Sequence, residues 1–114
     1  MVLNAGIINV QKLLAGDPAG KKFAKIAVGT SNADVTGAET TLTGQVAKDI
    51  TTIDYLGNGY LQFNSQLDAG DPAMNIQEMG IVADDGTLCY RTVITSVNKV
   101  AGVTYSISYK IRIQ

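Results

Sequence analysis

The stretch Val103-Thr-Tyr-Ser-Ile-Ser-Tyr-Lys-Ile-Arg-Ile-Gln114 decides the fold class of this chain. Apolar and polar residues alternate along nearly its whole length. Side chains point alternately to the two faces of a β-strand, so this pattern predicts one long strand over 103–113 with a core face and a solvent face. The solvent face carries the charged residues Lys110 and Arg112. The core face carries Val103, Tyr105, Ile107, Tyr109, Ile111 and Ile113.

Two short sequences upstream predict tight hairpin turns. Leu56-Gly-Asn-Gly-Tyr60 contains Asn-Gly between apolar residues, and it separates alternating runs over 50–55 and 60–67. Asp84-Asp85-Gly86 separates a second pair of runs, over 78–83 and 87–94. Both turn sequences permit the positive φ angles of a tight hairpin turn. We therefore expect the strands in each pair to be antiparallel.

The apolar phase slips in the run that precedes the second hairpin. In a regular strand, Ile76 would point to one face, whereas Met79 and Ile81 would point to the other. Either a β-bulge near Gln77–Glu78 or a strand that begins at Glu78 accounts for the slip. Gly80 lies inside this strand, where a missing side chain allows another backbone or ring to approach closely.

The N-terminal half gives weaker signals. Asn4 is a candidate helix cap, and Ile7, Val10 and Leu14 recur at helical spacing before Gly16-Asp17-Pro18. A strand over 6–10 is the alternative. A short strand is predicted over 23–28, ending at Gly29. Residues 30–48 are small and polar, and we expect a surface connection with one helical turn near 39–42.

Together these elements predict an all-β fold with one N-terminal helix. About six mostly antiparallel strands would form a sandwich or a small barrel, because the connections are short. At 114 residues we expect a single domain, 1–114, with the helix over about 4–15 and the β-domain over about 22–114.

The charge distribution bears on the partners of this chain. A net charge of −1 gives no basic surface for nucleic acid or anionic lipid, so we expect neither as a partner. The seven acids from Asp49 to Asp85 have no base among them, and the four bases after Gly86 have no acid among them. Neighbouring strands would neutralise each other within one sheet, or opposed patches would orient copies head to tail.

The side-chain chemistry argues against an enzyme. The chain has no His, so Ser-His and Cys-His pairs and His metal ligands are impossible. Cys89 is expected to be a small core residue. The carboxylates fall mostly in turns, and Asp84-Asp85-Gly86 lacks the spaced oxygen ligands of a Ca²⁺ loop. We expect no catalytic residue, metal or cofactor, and we recognise no signal peptide and no membrane span.

The five tyrosines leave a second class of function open. Tyr105 and Tyr109 belong to the core face of the last strand, whereas Tyr55, Tyr60 and Tyr90 would suit a contact surface if exposed. Aromatic stacking on carbohydrate is conceivable, although the chain has no Trp. A free-standing β-domain that binds carbohydrate or a small ligand is therefore the alternative to an assembly module.

The order of motifs resembles the amino-terminal domain of bacteriophage tail-collar fibre proteins, over nearly the whole chain. The motifs are Asn4-Ala-Gly6, Phe23-Ala-Lys-Ile-Ala-Val-Gly-Thr30, Glu39-Thr-Thr-Leu42, Ile76-Gln-Glu-Met-Gly-Ile81, Asp85-Gly-Thr-Leu88, Val97-Asn-Lys99 and the final alternating strand. Glu78, Gly80 and Gly86 fall on scaffold positions of this pattern. The resemblance implies a virion structural protein that attaches fibres, or itself, to the tail or baseplate.

The resemblance also implies where the protein acts and what it contacts. We expect a homo-oligomer in the virion, assembled in the host bacterial cytoplasm and bound to other tail, collar or baseplate proteins. Family members continue into a shaft and a receptor-binding tip, whereas this chain ends at the last strand, which favours an adaptor, collar or capsid decoration role. The expected partner contacts are Val35, Thr36, Glu39 and Thr40 in the 30–48 connection, and Lys110 and Arg112 on the final strand.

Overall fold

The computed structural model describes residues 1–113 as one helix and seven strands. Helix α1 spans Asn4–Leu14. The strands are β1 (Phe23–Gly29), β2 (Val46–Asp49), β3 (Thr52–Gly57), β4 (Tyr60–Leu67), β5 (Met74–Ala83), β6 (Leu88–Lys99) and β7 (Tyr105–Arg112). No helix within residues 1–113 combines the length and apolar character needed to cross a membrane.

The strands form two antiparallel sheets that pack face to face. The four-stranded sheet has the order β2-β1-β5-β6, and the three-stranded sheet has the order β3-β4-β7. Their inner faces share one apolar core (Ile26, Val28, Phe63, Leu67, Ile76, Met79, Ile81, Tyr109 and Ile111). This confirms the predicted mostly antiparallel β fold with an N-terminal helix, in the form of a small sandwich.

The predicted local features of the hairpins are present. Asn58 and Gly59 both have positive φ, at 52° and 81°, in the turn between β3 and β4. Gly86 has φ 89° in the turn between β5 and β6. The pairing of β5 with β6 shifts register between Ile76 and Glu78, so the apolar phase slip is a β-bulge inside one strand that starts at Met74.

Aromatic rings connect the two sheets across the core. Phe23 of β1 meets Phe63 of β4 edge to face at 5.7 Å between ring centroids. Tyr90 of β6 meets Tyr109 of β7 in a similar arrangement at 6.2 Å. Such edge-to-face pairs stabilise a core by about 0.5–1.5 kcal/mol beyond the area that they bury.

The helix is present, but two details of its prediction are wrong. Leu3 takes the N-cap position, and Asn4 is the first helical residue. Leu3 is buried, and its backbone N–H donates to the Cys89 carbonyl oxygen at 2.8 Å. The buried helix positions are Gly6 and Asn9, whereas Ile7 is 43% exposed. A side chain at Gly6 would lie 2.1 Å from the Cys89 carbonyl oxygen, so glycine lets the helix lie directly on the sheet.

The predicted helical turn near 39–42 is absent from the described residues, and the 30–48 connection ends in a seventh strand. β2 pairs with β1 through four residue pairs, from Lys25↔Asp49 to Val28↔Val46. The rest of the connection packs on the outer face of the four-stranded sheet, where Leu42 is buried beside Ala27 and Val82. The 30–48 connection is therefore packed against the sheet and is not a free surface loop.

The alternation over 50–55 does not correspond to a buried face in β3. All six residues of this strand are exposed. Strands β4 and β7 contact β1, β2 or β5 across the sandwich, whereas β3 lies outside this overlap. The two sheets are staggered, so that β3 extends past one side of the four-stranded sheet.

Candidate protein-interaction surface

The exposed apolar residues of β3 form one part of the candidate site. Ile53 pairs with Phe63 and Tyr55 pairs with Leu61 on β4, which places them on the inner face of the three-stranded sheet. Ile53 is 44% exposed and Tyr55 is 83% exposed, and within residues 1–113 the main contacts across the sandwich are made by β4 and β7, not by β3. A side of the sheet that is apolar and uncovered is unusual for a chain that acts alone.

A groove on the opposite side of the sandwich forms the second part. It lies between β6 and β7, the edge strands of the two sheets on this side. The N-terminal residues 1–3 pair with β6 at Tyr90, and Met1 also lines the groove. The groove has a volume of about 350 Å³. Its floor carries Met79, Tyr90 and Tyr109, and its margins carry Thr92 and Ile94 of β6 with Ile111 of β7.

The two predicted contact residues on the final strand lie at the rim of this groove. Lys110 and Arg112 are exposed on the outer face of β7. Both approach the ring of Tyr60, with the Lys110 Nζ at 5.7 Å and the Arg112 guanidinium carbon at 5.1 Å from its centroid. The lining that the structure shows within residues 1–113 contains these two bases and no acid.

The other predicted contact residues lie on the far side of the molecule. Val35 is half-buried against the cluster that contains Leu42, while Thr36 and Thr40 are exposed. This segment covers the outer face of the four-stranded sheet, whereas Lys110 and Arg112 lie on the outer face of the three-stranded sheet. The structure therefore places the two predicted contact sets on opposite faces of the sandwich.

Glu39 fixes the shape of that segment. Its Oε1 accepts hydrogen bonds from the Thr36 and Gly37 backbone N–H groups, at 2.7 and 3.1 Å, and from the Thr36 hydroxyl. The pKa of Glu39 is held below its usual value, chiefly by the hydrogen bond from the Thr36 hydroxyl. The two backbone hydrogen bonds and the charge of Arg91 lower it further. Its Oε2 lacks a hydrogen-bond partner among the described residues and lies 3.9 Å from Arg91 Nη1.

Glu78 and Arg91 form a buried ion pair beneath the segment. The side chains are 1% and 3% exposed, and Arg91 Nε donates to Glu78 Oε1 at 2.8 Å. Glu78 Oε2 accepts the backbone N–H groups of Ser31 and Thr43, at 2.8 and 3.0 Å. These hydrogen bonds tie the segment to the sheet.

Gly80 and Cys89 also lie where scaffold residues are expected. A side chain at Gly80 would meet the Tyr90 carbonyl oxygen at 2.6 Å, so the predicted close approach is present. Cys89 is fully buried, and burial raises the pKa of its thiol to about 11. A thiol with this pKa stays protonated near neutral pH, which suits the predicted core role.

Much of the opposed charge is neutralised inside the chain. The Glu78–Arg91 pair is one example; the buried amine of Lys99, by contrast, donates to the neutral backbone carbonyl of Asp71 at 3.1 Å. Lys48 contacts the carboxylates of Asp68 and Asp71, at 3.1 and 3.0 Å. Lys110 and Arg112 stand apart from these clusters, so the groove rim keeps a basic character.

A second, polar cleft bears on the carbohydrate alternative. It has a volume of about 640 Å³ and is lined by hydrogen-bonding side chains that include Asn64, Gln66 and Asp68. These groups suit a polyhydroxylated ligand. The lining that the structure describes contains no aromatic ring on which a sugar could stack. Across residues 1–113, no three Cys, Asp or Glu side chains lie close enough together to hold a metal ion.

Sequence reasoning located part of this surface and missed the rest. Lys110 and Arg112 were predicted as contacts, and the groove beside them was not. Ile53 and Tyr55 were placed on one side of a strand, and Tyr55 was named as a contact residue if exposed. The pattern could not decide their exposure, because alternation identifies a shared face but not whether another sheet covers it.

Comparison of the chain with protein-family models, with curated proteins and with solved structures finds no match to any of them.

Proposed function

We propose that this protein is a bacteriophage virion structural protein, an attachment or adaptor module of the tail or collar fibre type. It self-assembles and docks to other virion proteins, and it resides in the virion after assembly in the host bacterial cytoplasm. Its work is binding and not catalysis.

The observation that carries the proposal is the uncovered inner face of β3. Ile53 and Tyr55 are 44% and 83% exposed on this face of one short edge strand. Exposed edge strands of this kind pair readily with other chains, and proteins that remain monomeric usually protect them. In a protein whose function is assembly, an unprotected edge strand can serve as a binding surface for another chain.

The anchored segment over 30–45 supports docking to a second protein. The Glu78 carboxylate holds its backbone at Ser31 and Thr43, which keeps the segment rigid. Thr36 and Thr40 then project from a fixed surface, so a partner would not have to order a loop on binding. The motif order that resembles tail-collar fibre proteins supports the same class of function.

Labelling of phage particles tests the proposal. Particles would be purified from cells in which the coding sequence is expressed during infection, and then imaged with gold-labelled antibody against this chain. We expect the label at one fixed position on the tail or collar. The proposal is contradicted if the chain is produced but stays in the particle-free fraction.

The polar cleft favours binding of carbohydrate as a second candidate function. Its amide, carboxylate and hydroxyl side chains would bind a polyhydroxylated ligand through hydrogen bonds. Titration with neutral oligosaccharides, followed by the amide resonances of Asn64 and Gln66, tests this candidate. Saturable shifts confined to the cleft would support it, and an unchanged spectrum at millimolar sugar would exclude it.

A further inference from the structure

We propose that β3 of one copy pairs with β7 of the next copy, so that the three-stranded sheets join into one continuous sheet. This inference rests on the proposed assembly function, and it names the two surfaces that meet. The contact is head to tail, because the two strands lie at opposite edges of the sheet.

The stagger of the two sheets provides the first argument. On one side of the sandwich, β3 extends past the four-stranded sheet and its inner face is uncovered. On the other side, β6 extends along the open groove beside β7. A second copy that adds its β3 next to β7 would fill the groove over β6 and would cover its own apolar strand at the same time.

The register of the sheet provides the second argument. Ile53, Phe63 and Tyr109 form one row across the inner face, and the next row contains Tyr55, Leu61 and Ile111. Continuing these rows past β7 places Ile53 of the next copy beside Tyr109, and Tyr55 beside Ile111. The added side chains are apolar where the groove is lined by Tyr109 and Ile111, so the two surfaces match in chemistry.

The charges provide the third argument. Asp54 is exposed on the outer face of β3, in the same row as Gln62 and Lys110. In the continued row, Asp54 of the next copy lies beside Lys110, near Arg112. Opposite charges on adjacent strands favour this pairing, whereas β3–β3 and β7–β7 pairings would bring like charges together.

Two charge-swap variants test the pairing in the full chain. The β3 variant carries Asp54→Lys and Tyr55→Lys, and the β7 variant carries Lys110→Glu and Arg112→Glu. All four side chains are exposed, so neither variant should perturb the fold. Asp84→Lys and Lys22→Glu change exposed charges away from both strands and serve as matched controls. Circular dichroism checks that every variant is folded.

Sedimentation velocity then measures the mass of each protein against the 12.0 kDa chain. We expect wild type and both controls to associate, and to associate less in high salt. Each charge-swap variant alone should remain monomeric, and an equimolar mixture of the two should associate again. This recovery is specific to a head-to-tail contact, because each variant keeps the surface that the other has lost.

Other outcomes would overturn the inference in distinguishable ways. If one variant alone loses association, the interface joins two identical strands. If both variants associate like wild type, the interface lies elsewhere; particle labelling can still support the proposed function in either case. A wild type that is monomeric at every concentration and salt overturns the pairing, and if it is also missing from particles the proposed function fails with it.

Discussion

The two sheets of this sandwich differ in how completely the rest of the chain covers them. The four-stranded sheet, with α1 and the 30–45 segment over its outer face, forms a covered half in which Glu78 and Arg91 are buried and hydrogen-bonded. The three-stranded sheet forms an open half, in which Ile53 and Tyr55 continue the core rows into solvent. The covered half is therefore closed by elements of the same chain, whereas the open half leaves apolar side chains exposed.

Arg91→Met should give the largest loss of stability, because it leaves the Glu78 carboxylate buried without its cation. Breaking a buried ion pair from one side costs about 3–5 kcal/mol. Lys25→Met removes one partner of the exposed Lys25–Asp49 pair, whose side chains are 46% and 84% exposed, and should cost under about 1 kcal/mol. Urea unfolding measures both, and equal losses would show that the buried pair does not stabilise the covered half.

Substitutions at two paired residues, one on β3 and one on β4, test where the buried core ends. Phe63 is 4% exposed, and Ile53, its partner across the strands, is 44% exposed. Phe63→Ala should cost about 3–5 kcal/mol through lost burial and a cavity. Ile53→Ala should cost roughly 1 kcal/mol or less in the dilute monomer. A large loss for Ile53→Ala at low concentration would mean that β3 is covered within one chain.

Alkaline pH should weaken the covered half through Cys89. Burial raises the pKa of this thiol from 9.0 to about 11 in the folded state. Its contribution to stability is therefore full below pH 9 and is lost as the pH rises to about 11, because the unfolded thiol ionises first. Cys89→Ala should lose about 2 kcal/mol less than wild type between pH 7.5 and pH 10.5. Equal losses in the two proteins would place the alkaline sensitivity in other groups.

Thr40→Arg should change stability least, by under about 0.5 kcal/mol, because the side chain is exposed. We expect this variant to self-associate like wild type and to enter phage particles poorly, since we propose that the anchored segment contacts a different virion protein. Thr104→Arg, at another exposed position, is the matched control and should enter normally. Normal incorporation of both variants would move the partner contact away from this segment. Deleting residues 35–40 is a poorer test, because it would also remove Val35 and Glu39 from the packing that anchors the segment.

Features set by adjacent residues could be predicted from the sequence. Asn58-Gly59 and Asp84-Asp85-Gly86 form the expected hairpins, because their φ angles depend on the local residue types. The bulge before Met79 was visible as a slip in the apolar phase. The core face of the last strand was correct at Tyr109 and Ile111, which are buried, but Val103 and Ile113 are 45% and 61% exposed and lie outside β7.

Features set by distant contacts could not be predicted. β2 has four residues and a weak pattern, and its pairing with β1 makes it a strand. The helix buries Gly6 and Asn9 because the Cys89 backbone lies close by and Asn9 bonds the Lys21 backbone in both directions, at 2.8 Å. The burial of Lys99 depends in the same way on the distant Asp71 carbonyl. The exposure of β3 follows from the offset between sheets, which alternation within a strand does not encode.

Hydrogen–deuterium exchange as a function of protein concentration tests the central claim most directly. Pairing of β3 with β7 would satisfy backbone N–H groups at both sheet edges. Protection should therefore rise with concentration in peptides that cover 52–57 and 105–112, and stay constant in the 30–45 segment. Concentration-independent exchange at both edges, or a rise confined to the 30–45 segment, would contradict the claim that the open half is the assembly surface.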